Sequence, residues 1–390
     1  MGVRVKQASL ESKAHLFFSN QSIGSLFNDI IEKARANANV TVFNGPAYVR
    51  SSYLMRLISW ALYTIKLSIH VILFSDRYDH LLIVSNPPFA PLISCLSRKP
   101  YSLLIYDLYP EALDQIKLPN CLKSLVYNLW KLTNSYVYPK ASKVFIISEP
   151  MAFQLKQYYR SHEEWNTSVT VISPWCDTSR FYPSHKLSKE YRSDRKLLDS
   201  QLFITYSGNM GITHPIEEFI SACSLYVDSN IKRHQSFKAL LIGFGAKYKS
   251  LFNQAKEAGL LDKYVEFSPP LNSFDLNACL CASDLALIAL DGPASHVSLP
   301  SKTFTALASG TPLLVIATEY SALAKLVVVH KCGFVVEPGP NAPREICEII
   351  SNVSNSRDDL QLLSNNALLA SRFFTIDNAN PLINHLLSSY

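Results

Sequence analysis

The sequence predicts an α/β protein of two Rossmann-like, doubly wound domains facing one another across a cleft. Three observations carry this reading. The chain has 390 residues, 48% of them apolar. Short apolar runs alternate with helix-period stretches along most of its length, the pattern of βαβ units and parallel sheets. A polar break near the middle restarts the alternation. A single core stops growing at about 250 to 300 residues, so a chain of this length divides its apolar side chains between two.

In the first series the strand runs are 15–19, 40–44, 80–85, 102–107, 143–148 and 169–173, with helical stretches at 22–36, 52–74, 88–97, 123–138 and 151–159 between them. Residues 1–183 form the expected first domain. Residues 184–200 are charged and lack a strand pattern, which predicts an interdomain connection. The second series has strands at 202–207, 239–243, 265–268, 285–290, 312–317 and 333–337, giving a domain over 201–372. The last stretch, 373–390, has a helical apolar pattern after that sheet is complete and is expected to pack back on the first domain.

The formal charge is +6, from 37 basic and 31 acidic residues without a like-charge block. That suits an anionic ligand or membrane surface. Finger spacings, a basic helix and an RNP-type aromatic stretch are all missing, so nucleic acid is not an expected partner. The eight cysteines form no CxxC pair and mostly lie in apolar runs, as buried thiols do in a reducing compartment. The first 14 residues hold no apolar run long enough for a secretory signal, so a cytoplasmic location is expected. Segment 53–74 is long and apolar enough to cross a bilayer. Arg56, Lys66 and His70 interrupt it, so the expected form is a buried or membrane-facing amphipathic helix.

Four places could carry chemistry, because ligands of doubly wound sheets sit outside the carboxyl ends of strands. In 206–215 (YSGNMGITHP), Gly208, Asn209 and Gly211 follow a strand and precede a helix opened by Pro215, with His214 beside it. Glycines there let backbone N–H groups approach a phosphate; a tight packing turn is the plainer alternative. In 291–310 (DGPASHVSLPSKTFTALASG), a loop with His296 and Ser298 leads to a helix start at Pro300, where the amides of 301–303 and the Lys302 ammonium could hold a diphosphate without metal. Asp107 lies at a strand's carboxyl end with Glu111 four residues on; it could orient an acceptor hydroxyl or simply cap the next helix. Asn86, in the run Asn86-Pro87-Pro88-Phe89, could line the same side, or its two prolines could simply start the next helix. No HExxH, DxD, GxSxG, P-loop or strand-linked GxGxxG occurs, so neither a metal nor an organic cofactor is expected.

Taken in order, these segments resemble bacterial family 4 retaining glycosyltransferases of GT-B fold, the kind that assembles O-antigen, capsule and exopolysaccharide. The likeness rests on YDLYPE (106–111), ASKVFIISEPM (141–151), VISPWCDTSRFYP (171–183), YSGNMGITHPIE (206–217), ALLIGFGAKYKSL (239–251), VEFSPPL (265–271) and LPSKTFTALASGTPLLVIA (299–317). The resemblance implies a nucleotide-sugar donor, UDP-linked, in the second domain and an acceptor in the first, with retained anomeric configuration. It places Gly208, Asn209 and Gly211 on the glycine loop near the donor phosphates, and Ser301 and Lys302 on the P-S-K contacts. Many members carry Glu-x7-Glu across this helix; Val297 and Thr305 stand there instead, which leaves the ribose contact at Thr305 in question. The implied acceptor is a lipid-linked or growing saccharide, reached by peripheral contact with the inner membrane face. A nucleotide-sugar 2-epimerase and a catalytically silent partner subunit are the alternatives.

Overall fold

The computed structural model describes residues 13–21, 24–46, 53–109, 120–159, 169–229, 237–291, 299–355 and 357–388. In the first half, β1 (His15–Ser19), β2 (Asn39–Val42), β3 (His80–Val84), β4 (Tyr101–Ile105), β5 (Lys143–Ile146) and β6 (Val169–Val171) make a parallel sheet of order β2-β1-β3-β4-β5-β6. Its helices are α1 (Ser25–Arg35), α2 (Tyr53–Phe74), α3 (Ala90–Ile93), α4 (Asn120–Val137) and α5 (Glu149–Tyr159).

The second half begins with α6 (His185–Asp194). Its strands are β7 (Leu202–Ser207), β8 (Phe237–Ile242), β9 (Val265–Ser268), β10 (Leu285–Ala289), β11 (Leu313–Ile316) and β12 (Gly333–Val336), in the parallel order β12-β11-β10-β7-β8-β9. Its further helices are α7 (Ile216–Ser229), α8 (Tyr248–Glu257), α9 (Ser273–Ala282), α10 (Ser301–Ala308), α11 (Ala322–His330), α12 (Ala342–Asn355) and α13 (Arg357–Ser371), and α14 (Asn380–Ser388) ends the described chain.

Every strand predicted from an apolar run is present. The runs are apolar at successive positions because both faces of a parallel sheet are covered. In the first sheet Phe17, Leu81, Ile83, Leu103 and Ile105 join the core under α2 to α5, while Leu16, Phe18, Leu82, Val84 and Leu104 join the core under α1 and α14. Residues alternate between faces along each strand. The α14 side chains of Leu382, Ile383 and Leu386 lie in this second core, so the chain's end rests on the first sheet.

In each sheet the strand order reverses once, between β1 and β3 and between β7 and β10. A crevice opens outside the carboxyl ends of strands at such a reversal. The residues directly after β1, β3 and β4 meet it in the first domain, and those directly after β7 and β10 in the second.

The stretch 184–200, expected to be a plain connection, is folded onto the second domain. Ser184 caps α6 by accepting from Leu187 N–H at 3.3 Å. Tyr191 and Leu197 pack beside Phe203 and Leu240. Arg192 donates to the carbonyls of Ala282, Leu198 and Gln201 at 2.7, 2.9 and 2.6 Å. The guanidinium that satisfies three carbonyls adds to this cap and packing, and a periodicity search does not see it.

Helix α2 is the long apolar segment. It docks Tyr63, Leu67 and Val71 into the core of the first sheet. Burying each side chain stabilises by about 1.5 to 3 kcal/mol, so the helix is an integral layer of the domain.

Candidate active site

Two backbone turns of the second domain are locked together. After β7 the chain makes Gly208 N–H to Ile242 O (2.9 Å) and Met210 N–H to Phe244 O (2.8 Å), and Lys247 N–H returns to Met210 O (3.0 Å). The fit requires glycine on the far side. Gly243 has φ +122°, and a Cβ there would stand 2.2 Å from Gly208 O; one at Gly245 would stand 2.4 Å from Met210 O. Gly208 itself has φ +128° and faces Lys302, whose Nζ lies 3.9 Å from where a Cβ would be.

Lys302 is on the first turn of α10, whose N-cap is Pro300 without a side-chain cap. Thr303 N–H bonds Pro300 O at 3.0 Å, so the amides of Ser301 and Lys302, rather than all three of 301–303, are left to an incoming anion. The Lys302 stem is partly exposed, but Nζ is sealed from solvent and has no hydrogen-bond partner among the described residues. It lies 3.8 Å above the centroid of the Tyr206 ring. Burial pushes the ammonium down to about 7. A cation in this setting gains strongly from an anion placed beside it.

The Tyr206 hydroxyl donates to Asn209 O at 2.6 Å and lies 2.8 Å from His214 Nδ1. Its single proton is engaged with the carbonyl, so Nδ1–H of His214 is the donor in the second contact. Burial, then the nearby positive charge of Lys302, lowers His214 to about 4. The ring is neutral at physiological pH and presents Nε2 as an acceptor, suited to a sugar hydroxyl. Lys247 braces the same turn, donating to His214 O at 3.0 Å and to both Glu217 carboxylate oxygens at 2.7 and 2.9 Å.

In the first domain, Ser85 Oγ accepts from Tyr106 N–H at 3.0 Å, which ties the end of β3 to that of β4. Asp107 follows, its residue open to the surface, while desolvation of the carboxyl raises it above the usual range. Asn86 donates to Asn20 Oδ1 at 3.2 Å, and its carbonyl accepts from Gln21 N–H at 2.9 Å. Beside this loop Phe89 stacks on Trp130 (centroids 4.5 Å), and Trp130 on Tyr109 (5.4 Å). Among the described residues no three His, Cys, Asp or Glu side chains converge as metal ligands would.

Residues 188–368 match the family model described as Glycosyl transferases group 1, a span that opens inside α6. The second domain belongs to the group 1 glycosyl transferases. A Pseudomonas aeruginosa protein, "Probable glycosyltransferase WbjE", is 23% identical over 327 residues, covering 82% of this chain and 74% of the relative. Among solved structures, a sucrose-phosphate synthase from Thermosynechococcus elongatus superposes with a TM-score of 0.74 at 13% identity, over 97% of this chain and all of that one. Anabaena Alr3699/HepE, solved with UDP and glucose, gives 0.71 at 18%, with the same coverage. These neighbours share the GT-B fold over both halves, and the family model and the WbjE relative support a family 4-like glycosyltransferase.

Within this glycosyltransferase the structure brings Gly208, Asn209, Gly211, His214 and Lys302 into one cluster around Tyr206. Ser301 is exposed at the same helix start. The Thr305 hydroxyl donates to Lys302 O at 2.9 Å, which leaves it only acceptor capacity toward a ribose. Asp107 and Asn86 lie together at the ends of β4 and β3. His296, Ser298 and Glu111 lie outside the described residues, as does a helix that Asp107 could cap. Sequence reasoning missed Tyr206, which reads as strand core; its position just before the glycine loop was the available signal. It also missed Gly243 and Gly245, where a G-x-G at a strand's carboxyl end asked for a close approach.

Proposed function

We propose that the protein transfers a sugar from a UDP-linked donor to a lipid-linked or growing polysaccharide acceptor at the cytoplasmic face of the membrane, with retained configuration and without metal. The observation that carries this is the sealed, unpartnered Lys302 ammonium at the start of α10, opposite Gly208. A donor diphosphate would meet that ammonium, the Ser301 and Lys302 amides and the glycine loop. Charge building on the leaving phosphate is then stabilised by groups already in place. The acceptor hydroxyl, oriented by Asp107, would attack the anomeric carbon from the face the diphosphate leaves, with the departing oxygen taking the proton. His214 Nε2 would accept from a donor sugar hydroxyl. WbjE supports glycosyl transfer by its name, and HepE supports the UDP donor by its bound ligand.

Incubation with a panel of UDP-sugars and lipid-linked saccharides, in EDTA, with the anomeric configuration of product read by NMR, tests every part. Transfer with retention is expected. Inversion, a metal requirement, 2-epimerised sugar or no product would each remove the corresponding part.

A further inference from the structure

One face of the first domain is apolar outward as well as inward. Helices α2, α3, α4 and α5 all cover the same side of the sheet, and α3 touches both α2 and α4. On α2 the buried positions Ser59, Tyr63, Leu67 and Val71 recur every fourth residue. A helix at a water surface would be polar opposite that stripe. Here the opposite side carries Ile65, 56% exposed, and Leu73, 63% exposed. The outer side of α4 repeats this with Leu125, Leu129 and Leu132, and Leu92 of α3 lies between. An exposed apolar surface spread over three adjacent helices marks an interaction site.

The charge on the face identifies its occupant. No Asp or Glu occurs in 53–74, 90–93 or 120–137, while Arg56, Lys66 and Lys131 do. A second copy docked by two-fold symmetry would set these cations against themselves without a carboxylate to meet them. An anionic lipid surface meets both properties, the apolar side chains entering the acyl boundary and the cations resting among headgroups. The stacked Phe89, Trp130 and Tyr109 join α4 to the loops after β3 and β4. Aromatic rings of this kind favour the headgroup level.

From this we infer that α2, α3 and α4 form a plate that seats in an anionic bilayer, with the Phe89–Trp130–Tyr109 stack at the headgroups. Asn86 and Asp107 then open onto the lipid surface itself. The inference deepens the acceptor reading above and rests on it for its purpose, though not for the binding.

The test is flotation of the full chain at low salt with vesicles of phosphatidylcholine alone or with one third phosphatidylglycerol, beside an Ile65→Glu/Leu129→Glu double variant. The wild type is expected to float with the anionic vesicles. The variant should bind them at least tenfold more weakly while its UDP titration is unchanged. Brominated lipids should quench wild-type tryptophan fluorescence, which guards against a variant that merely misfolds. Absence of flotation and quenching would overturn the inference, as would equal flotation of the variant. So would a wild-type dimer that the substitutions dissociate without any vesicle binding. Failure of UDP binding or of transfer to a soluble acceptor, measured without vesicles, would count against the catalytic reading alone.

Discussion

The Lys302 ammonium faces the Tyr206 ring at 3.8 Å while Tyr206 holds, through its hydroxyl, the carbonyl of Asn209 and the ring of His214. One aromatic side chain therefore supports a cation on its face and shapes the glycine loop with its edge.

Replacing Lys302 with Ala is expected to lower turnover about a hundredfold, the scale of losing one preorganised charge at a leaving group. The folded state should not suffer, since the substitution removes a buried unpaired ammonium. Steady-state kinetics beside a thermal melt checks both; unchanged turnover would take Lys302 out of the site.

Tyr206→Phe keeps the ring under Lys302 and removes only the hydroxyl. The carbonyl of Asn209 and the His214 ring each lose a partner, at about 1 kcal/mol or more apiece. Donor KM should rise several-fold while kcat changes less. An equal fall in kcat would place the hydroxyl in the chemistry itself.

Donor affinity should depend on alkaline pH. Because burial lowers Lys302 to about 7 from 10.5, the folded free protein disfavours the cation, and its stability rises with pH between those values. A bound diphosphate favours the cation, so binding above pH 7 takes up a proton and weakens by up to about tenfold per unit as pH rises. Calorimetric titration in buffers of different ionisation enthalpy measures the uptake. Lys302→Ala should show none, and a wild-type affinity flat from pH 7 to 9 would contradict the assignment.

Gly243→Ala forces a Cβ to 2.2 Å from Gly208 O at a φ of +122°. Strain and displacement together should destabilise by about 3 kcal/mol. UDP affinity should fall with it, because the glycine loop is the element pushed away. Urea denaturation with and without UDP separates the two effects.

The strands were legible because a parallel sheet buried on both faces writes itself as unbroken apolar runs. His15–Ser19, Leu202–Ser207 and Val265–Ser268 carry the very boundaries read from sequence, and the others differ at their ends, where side chains leave the core. What could not be read was set by distant partners. Arg192 helps hold 184–200 by reaching carbonyls up to 90 residues away, and Thr303 loses its amide to Pro300 through local geometry alone. The glycine loop and Lys302 were legible as types, since a strand end followed by glycine or by a helix start has few uses. Tyr206 was not, because a ring buried for packing and a ring buried to face a cation look the same in a sequence.

The last crossing of the chain has a mechanical consequence. The path leaving the first domain at Pro174–Cys176 and the path returning to it at Phe374–Asn378 run side by side: Cys176 N–H bonds Phe374 O at 3.0 Å, and Asn378 Nδ2 bonds Pro174 O at 3.4 Å. Two tethers bonded at one point leave rotation about that point as the easy motion and remove translation. The two domains thus stay at a high, fixed effective concentration relative to each other, like two leaves of a book held by a sewn spine.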